Sequence, residues 1–474
     1  MRHHSLVRLL PRFARAALGL TLLLTACASL PDVTNLGRRE HAAPPQALEV
    51  VTSHGAMPAA RKEALIDRLA AKAGPTDILN KHIAAEQAIN GTPLVAGNKV
   101  TLLDDGPVTM RAMMNAIRNA HDHINLETYI FEDDEVGDAL AKLLIEKHRA
   151  GLQVNVIYDS AGTLGTPAEF FEHMRDAGIH TLEFNPVNPL HTGGQGWDLN
   201  QRDHRKLLVV DGRIAFTGGV NISRVYGKSA MLASARRQTP KDPKEAAWRD
   251  THMQIEGPAV AEFQKLFLDT WQRKTGHALT GANYFPPLQR EGNALVRALG
   301  STPDQPEYPI FKTYVSAFVN ADRSIHLTTA YFVPDKQVMQ ALIDASKRGV
   351  DVRIVFPSIS DVGIMLYAAR SFYSELLGAG VKVYERKNAL LHAKTAVIDG
   401  VWSTIGSTNL DIRSFMHNDE INAVVLNTDF AAQMEALFQR DIASSHEVTA
   451  EEWRERGLGE RMKEWGVRLF QYWL

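Results

Sequence analysis

The sequence predicts an α/β fold made of two duplicated halves, and three observations carry that prediction. An eighteen-residue frame occurs twice. His204-Arg-Lys206-Leu-Leu-Val-Val-Asp211, closed by Gly218-Gly219-Val-Asn221, matches His392-Ala-Lys394-Thr-Ala-Val-Ile-Asp399, closed by Gly406-Ser407-Thr-Asn409. Each frame is preceded by the same order of strand, helix, glycine and strand. Finally, 474 residues with 45% hydrophobic and 22% charged content suit two globular domains and exclude a disordered or fibrous chain.

The first elements belong to targeting rather than to the fold. Arg2, Arg8, Arg12 and Arg15 precede the apolar run 16–24 and the small residues Thr25-Ala26, the layout of an export signal over residues 1–26. The run is short for a membrane-spanning helix. Leu24-Thr25-Ala26-Cys27 resembles the lipobox of bacterial lipoproteins, which makes Cys27, the single cysteine, the lipidated first residue of the mature chain. A buried cysteine is the ordinary alternative. Residues 27–50 then read as an anchor and tether, and residues 51–95 as a helical segment with Leu65, Ile66, Leu69 and Ala70 on one face.

The first half spans residues 96–290 and the second 291–448. In the first, the β-type run from Ile124 leads to a helix with Val136, Leu140, Leu143 and Leu144 at helical spacing, then Gly151 and the strand 154–158. In the second, the run from His326 leads to Val338, Ala341, Leu342 and Ala345, then Gly349 and the strand 350–356. A duplicated β-α-β unit with mostly parallel strands follows. A further helix and strand come before each frame, 170–177 with 181–184 and 372–377 with 381–384. From Tyr129 to His204 is 75 positions and from Tyr331 to His392 is 61, so the first half carries fourteen more, centred on the polar stretch 191–203.

Inside each frame the strand period of two sets His and Lys on one face, so an imidazole and an ammonium project together. Asp211-Gly212 and Asp399-Gly400 lie between apolar strands and read as hairpin turns. The small pairs before Asn221 and Asn409 let backbone approach closely, and the N–H groups of Gly219 and Ser407 can cradle an anion. Two His-Lys pairs without a metal-ligand cluster point to phosphodiester chemistry: one imidazole attacks phosphorus, the other protonates the leaving oxygen, and ammoniums with Asn donors hold the charge. No cofactor or metal is called for.

The doubled H-x-K-x-x-x-x-D with G-G/S-x-N resembles the phospholipase D superfamily, in particular its bacterial cardiolipin synthases. Glu127-Thr-Tyr129-Ile-Phe, Tyr158-Asp-Ser, Trp248-Arg-Asp250-Thr-His and Asp411-Ile-Arg413-Ser-Phe415 with Asn418 and Glu420 add to it over residues 90–445. The resemblance implies two α/β/α sandwich domains about a pseudo-twofold axis, one shared site, and a covalent phosphatidyl-histidine. It implies acidic partners from the opposite half, Glu420 for His204 and Asp250 for His392. His204 is taken as nucleophile and His392 as acid and then base, although the near symmetry of the copies leaves that order open. Lys206, Lys394, Asp211 and Asp399 complete the catalytic set, and Asn221, Asn409, Gly219 and Ser407 the phosphate-binding set.

Several bland readings stand beside these. A turn Asp before Gly needs no catalytic role, and Asn221 and Asn409 suit helix caps as well as phosphate. Tyr129 and Tyr331 read as walls, and 227–250 as a solvated linker. The amphipathic segment 449–474, with Trp453, Trp465, Phe470 and Trp473 among basic residues, is either an interfacial helix or a helix docked on the body.

The implied reaction joins two phosphatidylglycerol molecules into cardiolipin plus glycerol. The alternatives are hydrolysis to phosphatidic acid and transfer to another alcohol. Removing the four arginines before Cys27 leaves 48 basic against 54 acidic residues, a formal −6. That balance disfavours a nucleic-acid phosphodiesterase. The partners are then a phospholipid and, through Cys27, a bacterial envelope membrane, on the periplasmic side and at the outer rather than the inner membrane.

Overall fold

The computed structural model describes residues 29–33, 48–192, 197–228, 246–305 and 307–473. The export signal, Cys27 and most of the 227–250 stretch lie outside the described residues. Val33–Leu474 is one compact unit, and Met1–Asp32 another.

Fourteen strands of the larger unit, numbered in chain order, form two like half-sheets. The first half supplies β1 (Leu94–Leu103), β2 (His123–Thr128), β3 (Gln153–Asp159), β4 (His180–Phe184), β5 (Lys206–Val210), β6 (Ile214–Gly218) and β7 (His252–Glu256). The second supplies β8 (Ala294–Ser301), β9 (Ser324–Thr329), β10 (Asp351–Pro357), β11 (Lys382–Arg386), β12 (Lys394–Ile398), β13 (Trp402–Gly406) and β14 (Asn418–Leu426). Their spatial orders are β4-β3-β2-β5-β6-β7-β1 and β11-β10-β9-β12-β13-β14-β8. The halves join where β1 runs antiparallel to β8, with Val95 opposite Val296. The two orders are mirror-equivalent about that seam, the topology of a duplication with a pseudo-twofold relation.

The β-α-β portions are parallel as the sequence predicts, β2-β3-β4 and β9-β10-β11. The expectation of a mostly parallel sheet is corrected, because the frames themselves build antiparallel hairpins and β7, β14, β1 and β8 continue them antiparallel. Parallel strands need a crossover helix, whereas a three-residue turn can return only an antiparallel strand.

The crossover helix Glu135–Arg149 shows how local sequence serves this plan. Asp134 caps it by accepting from the Val136 and Gly137 N–H groups, acids occupy its first turn and bases its last. Its buried face is Leu140, Ala141, Leu144 and Ile145. The central core is lined from both half-sheets, with Leu207 and Val209 on one side and Ile405, Ile421 and Ala423 on the other. Phe263 and Phe267 of helix Val260–Thr275 and Phe430 of helix Thr428–Ala443 pack into it.

Candidate active site

His204 and His392 stand just before β5 and β12, at the same end of equivalent hairpins. Short parallel ladders fix each against the opposite half. Asp203 pairs with Asp419, and Arg249 with Leu391. The His204 N–H donates to the Asp419 carbonyl at 2.9 Å and the His392 N–H to the Arg249 carbonyl at 2.8 Å. The residue after each carbonyl is an acid, so the ladder presents Glu420 to His204 and Asp250 to His392.

The side chains follow that register. His204 Nδ1 lies 3.0 and 3.1 Å from the two Glu420 oxygens, and His392 Nδ1 lies 2.7 Å from Asp250 Oδ2. An ionised carboxylate only accepts, so Nδ1 carries the proton and Nε2 keeps the lone pair for the cavity. Both histidines line one cavity of about 320 Å³ with Tyr129, Trp248, Tyr331 and Asn409. The two frames therefore meet in a single site.

Lys206 and Lys394 are buried, and each Nζ donates to the carbonyl of its own histidine, Lys206 at 2.6 Å. Burial drives the Lys206 ammonium down to about 7, against the pull of Glu420 and helped by repulsion from Lys394. Burial likewise lowers Lys394 to about 8. The carboxylates of Glu420 and Asp250 offset part of that burial cost for both ammoniums.

Burial also lowers both imidazoles, and then their surroundings diverge. His204 falls well below its ordinary value, since Lys206, Lys394 and His392 all add repulsion. His392 is lowered by burial and Lys394 but supported by Asp250 and Asp361. Burial raises Glu420 to about 6, while in Asp250 the same effect is outweighed by His392 and Lys394, leaving its pKa below the usual range. The two imidazoles thus differ in their surroundings: repulsion from both lysines at His204, support from Asp250 and Asp361 at His392.

Aromatic walls hold the rings. Tyr129 meets His204 edge-on at 5.1 Å between ring centres, and Trp248 lies 5.1 Å from His392. Tyr331 stands 6.4 Å from His392 and its hydroxyl donates to Asp361 at 2.7 Å. Both tyrosines are walls, as the sequence suggests.

The remaining expectations divide. Asp211 and Asp399 sit at the far ends of β5 and β12 and do not line the cavity. Asp211 accepts from the N–H groups of His121, Asp122 and His123, and Asp399 from those of Asp322, Arg323 and Ser324. They pin the entries of β2 and β9, so the catalytic grouping is corrected to a structural one. Gly219 and Ser407 are corrected too. Their N–H groups are spent on the Thr251 and Ile421 carbonyls, and the side chain of Ser407 donates to Glu420. Asn221 lines the cavity but is bound to Tyr226 and Ile130, whereas the Asn409 carbonyl oxygen has no hydrogen-bond partner among the described residues. Neither is a helix cap, because Ser223 and Asp411 cap the turns that follow.

Sequence reasoning missed Tyr226, whose hydroxyl is 3.2 Å from His392 Nδ1, and Arg202, Asp361, Val362 and Met365 on the cavity wall. Asp361 to Met365 follow β10 in a stretch for which the repeat supplied no signal. Arg202 belongs to the irregular extra residues before the first frame, where spacing offers no guide.

Comparison with known proteins bears on family and fold. Residues 113–227 and 314–442 match the family model described as cardiolipin synthase, PLD-like domain. A cardiolipin synthase of Geobacillus sp. (strain WCH70) is 36% identical over 383 residues, covering 80% of this chain and 73% of the relative. The major cardiolipin synthase ClsA of Bacillus subtilis is 35% identical over 376 residues, covering 78% and 74%. The crystal structure of phosphatidylserine synthase from Haemophilus influenzae superposes with a TM-score of 0.58 at 14% identity, over 82% of this chain and 99% of that one, a likeness of fold.

Proposed function

The chain belongs to the cardiolipin synthase family of phospholipase D-like enzymes, and from that premise we propose that it joins two phosphatidylglycerol molecules into cardiolipin and glycerol through a phosphatidyl-histidine on His204. The observation that carries this reading is the crossed pairing of two frame histidines with carboxylates from opposite halves around one cavity. The enzyme is a phosphatidyltransferase.

In the first step His204 Nε2 attacks phosphorus, the bond from phosphorus to the glycerol oxygen breaks, and His392 gives its Nε2 proton to that oxygen. Asp250 supports the imidazolium that His392 must be beforehand, and Lys206 and Lys394 neutralise the non-bridging oxygens. In the second step His392 takes the proton of a primary hydroxyl of the second lipid, whose oxygen displaces His204 from phosphorus. Asp361 and Asp411, both on the cavity wall, are suited to accept hydrogen bonds from the remaining glycerol hydroxyls.

Hydrolysis to phosphatidic acid and transfer to another alcohol use the same side chains. Product analysis with head-group-labelled phosphatidylglycerol separates them: cardiolipin with glycerol supports the proposal, and phosphatidic acid with glycerol refutes it. A substrate with a p-nitrophenol leaving group needs no acid, so His392→Ala should accumulate a covalent lipid adduct that His204→Ala does not form. Lipid acylation of Cys27 and a periplasmic, outer-membrane setting extend the reading. Cys27→Ala should then release the protein from washed envelopes or leave its precursor uncleaved.

A further inference from the structure

Helix Leu458–Arg468 is held to the body by one face. Glu464 is buried and bound to Arg456 at 3.1 Å, Lys463 sits 5.1 Å above the Tyr367 ring, and Arg468 sits 4.6 Å above Phe372. The other face presents Leu458, Met462, Trp465 and Leu469, which are 76%, 73%, 68% and 66% exposed, with Phe470 just beyond. Spacings of four, three and four place those four side chains in one stripe. At 100° per residue the charged neighbours nearest the stripe are Arg461 and Arg468, the latter paired with Glu375 of the body, while Glu460 and Glu464 lie on the opposite face.

The helix that carries the stripe packs on an element of the cavity wall. That element is helix Gly363–Arg370, whose Met365 lines the cavity wall together with the capping residue Val362, and Val362 and Ile364 are themselves exposed. After the helix, Gln471 donates to the Pro334 carbonyl and Tyr472 meets His417 at 6.2 Å, next to the lining residue Asn418. Trp197 and Leu199 are exposed beside Asn200, which accepts from the lining residue Arg413 at 3.2 Å and meets His417. A cavity of about 320 Å³ takes a phosphodiester and its head group. The acyl chains of a diacyl lipid have to lie outside it, past this rim.

Among the described residues no helix is long and apolar enough to cross a membrane. We propose that the Leu458–Phe470 face is a docking surface for an anionic phospholipid bilayer, laying the cavity mouth on the headgroup layer with Trp465 and its neighbours in the acyl boundary. An apolar stripe with Trp at its centre and Arg461 on its flank has the chemistry of an interfacial helix. The two readings of the C-terminal segment therefore combine: one face docks on the body, the other on lipid. The inference rests on the phospholipid-substrate reading above.

The full chain with Cys27→Ser and Met462→Cys, labelled with an environment-sensitive dye and mixed with phosphatidylglycerol/phosphatidylcholine vesicles, tests it directly. The dye at 462 should blue-shift and be quenched by shallow spin-labelled lipids. A dye at Lys72→Cys, exposed on a helix at the Asp399 end of the second hairpin, should do neither. A dye at 462 that stays in water on vesicle-bound protein overturns the proposal. Separately, Met462→Glu with Trp465→Glu should lower turnover of vesicle-embedded phosphatidylglycerol on the order of tenfold and leave monomeric short-chain phosphatidylglycerol unaffected. Equal loss on both, or none on vesicles, also overturns it. If the parent chain fails to turn over the monomeric lipid, the functional reading fails instead, and the dye result still decides the docking.

Discussion

Gly219 and Asp250 share one space: a Cβ on the glycine would overlap the Asp250 carboxylate that binds His392. The equivalent position in the other half is Ser407, whose hydroxyl donates to Glu420 and accepts from the Ile421 N–H. The small pair that closes each frame thus seats the acid belonging to the other half's histidine.

Gly219→Ala should therefore push Asp250 aside and cut kcat by about 10–100-fold, the range for losing a partner that orients a functional imidazole. Ser407→Ala removes one hydrogen bond and leaves Glu420 in place, so its effect should be smaller. Steady-state kinetics with circular dichroism checks this. An equal loss in both variants, or a Gly219→Ala enzyme that is unfolded, would contradict it.

Exchanging the acids separates their roles. Asp250→Asn and Glu420→Gln should each lower turnover by on the order of 10²–10⁴-fold, because an amide can donate to Nδ1 and turn the imidazole into the wrong tautomer. With a p-nitrophenol leaving group the first chemical step needs no protonated His392. Asp250→Asn should then recover its burst of p-nitrophenol while Glu420→Gln does not. The reverse pattern would assign the nucleophile to His392.

Much of this site was legible because repetition exposes function. His204, Lys206, His392 and Lys394 share spacing that no single strand requires, and the doubled β-α-β order gave the fold. Long-range register was not legible from spacing: Glu420 stands 216 positions from His204, and only the family resemblance joined them. Asp211 and Asp399 show the opposite failure. They repeat as faithfully as the histidines, but both adopt left-handed backbone, φ 54° and 52°, to close hairpins and hold neighbouring strands. Repetition marks a shared fold as readily as a shared site.

Those aspartates should consequently affect stability more than chemistry. Asp399 is buried and accepts from three backbone N–H groups as well as Thr76. Asp399→Ala leaves those donors without an acceptor and places alanine at a positive φ, costing about 3 kcal/mol or more. Denaturant unfolding should show a lower midpoint, and the folded fraction should keep a near-native kcat. A large fall in kcat with unchanged stability would restore a catalytic role.

On their proposed role, the lysines should set the alkaline limit of the reaction. Lys206 titrates near 7 and Lys394 near 8 in the free enzyme because burial disfavours their charge. If these ammoniums hold the phosphodiester as proposed, losing their charge as pH rises through those values should lower kcat/KM for a monomeric substrate above about pH 7–8. A bound phosphate anion favours the ammoniums, so the corresponding limb of kcat should lie at higher pH. Stability at these sites moves the other way. The unfolded lysines keep their protons to about pH 10.4, so through that window the unfolded chain binds more protons and folding is favoured as pH increases. Lys206→Arg, which does not titrate here, should flatten part of the alkaline fall in kcat/KM even if its absolute rate is lower. A profile that is level to pH 9 in the parent enzyme would show that the ammoniums are not the groups holding the phosphate.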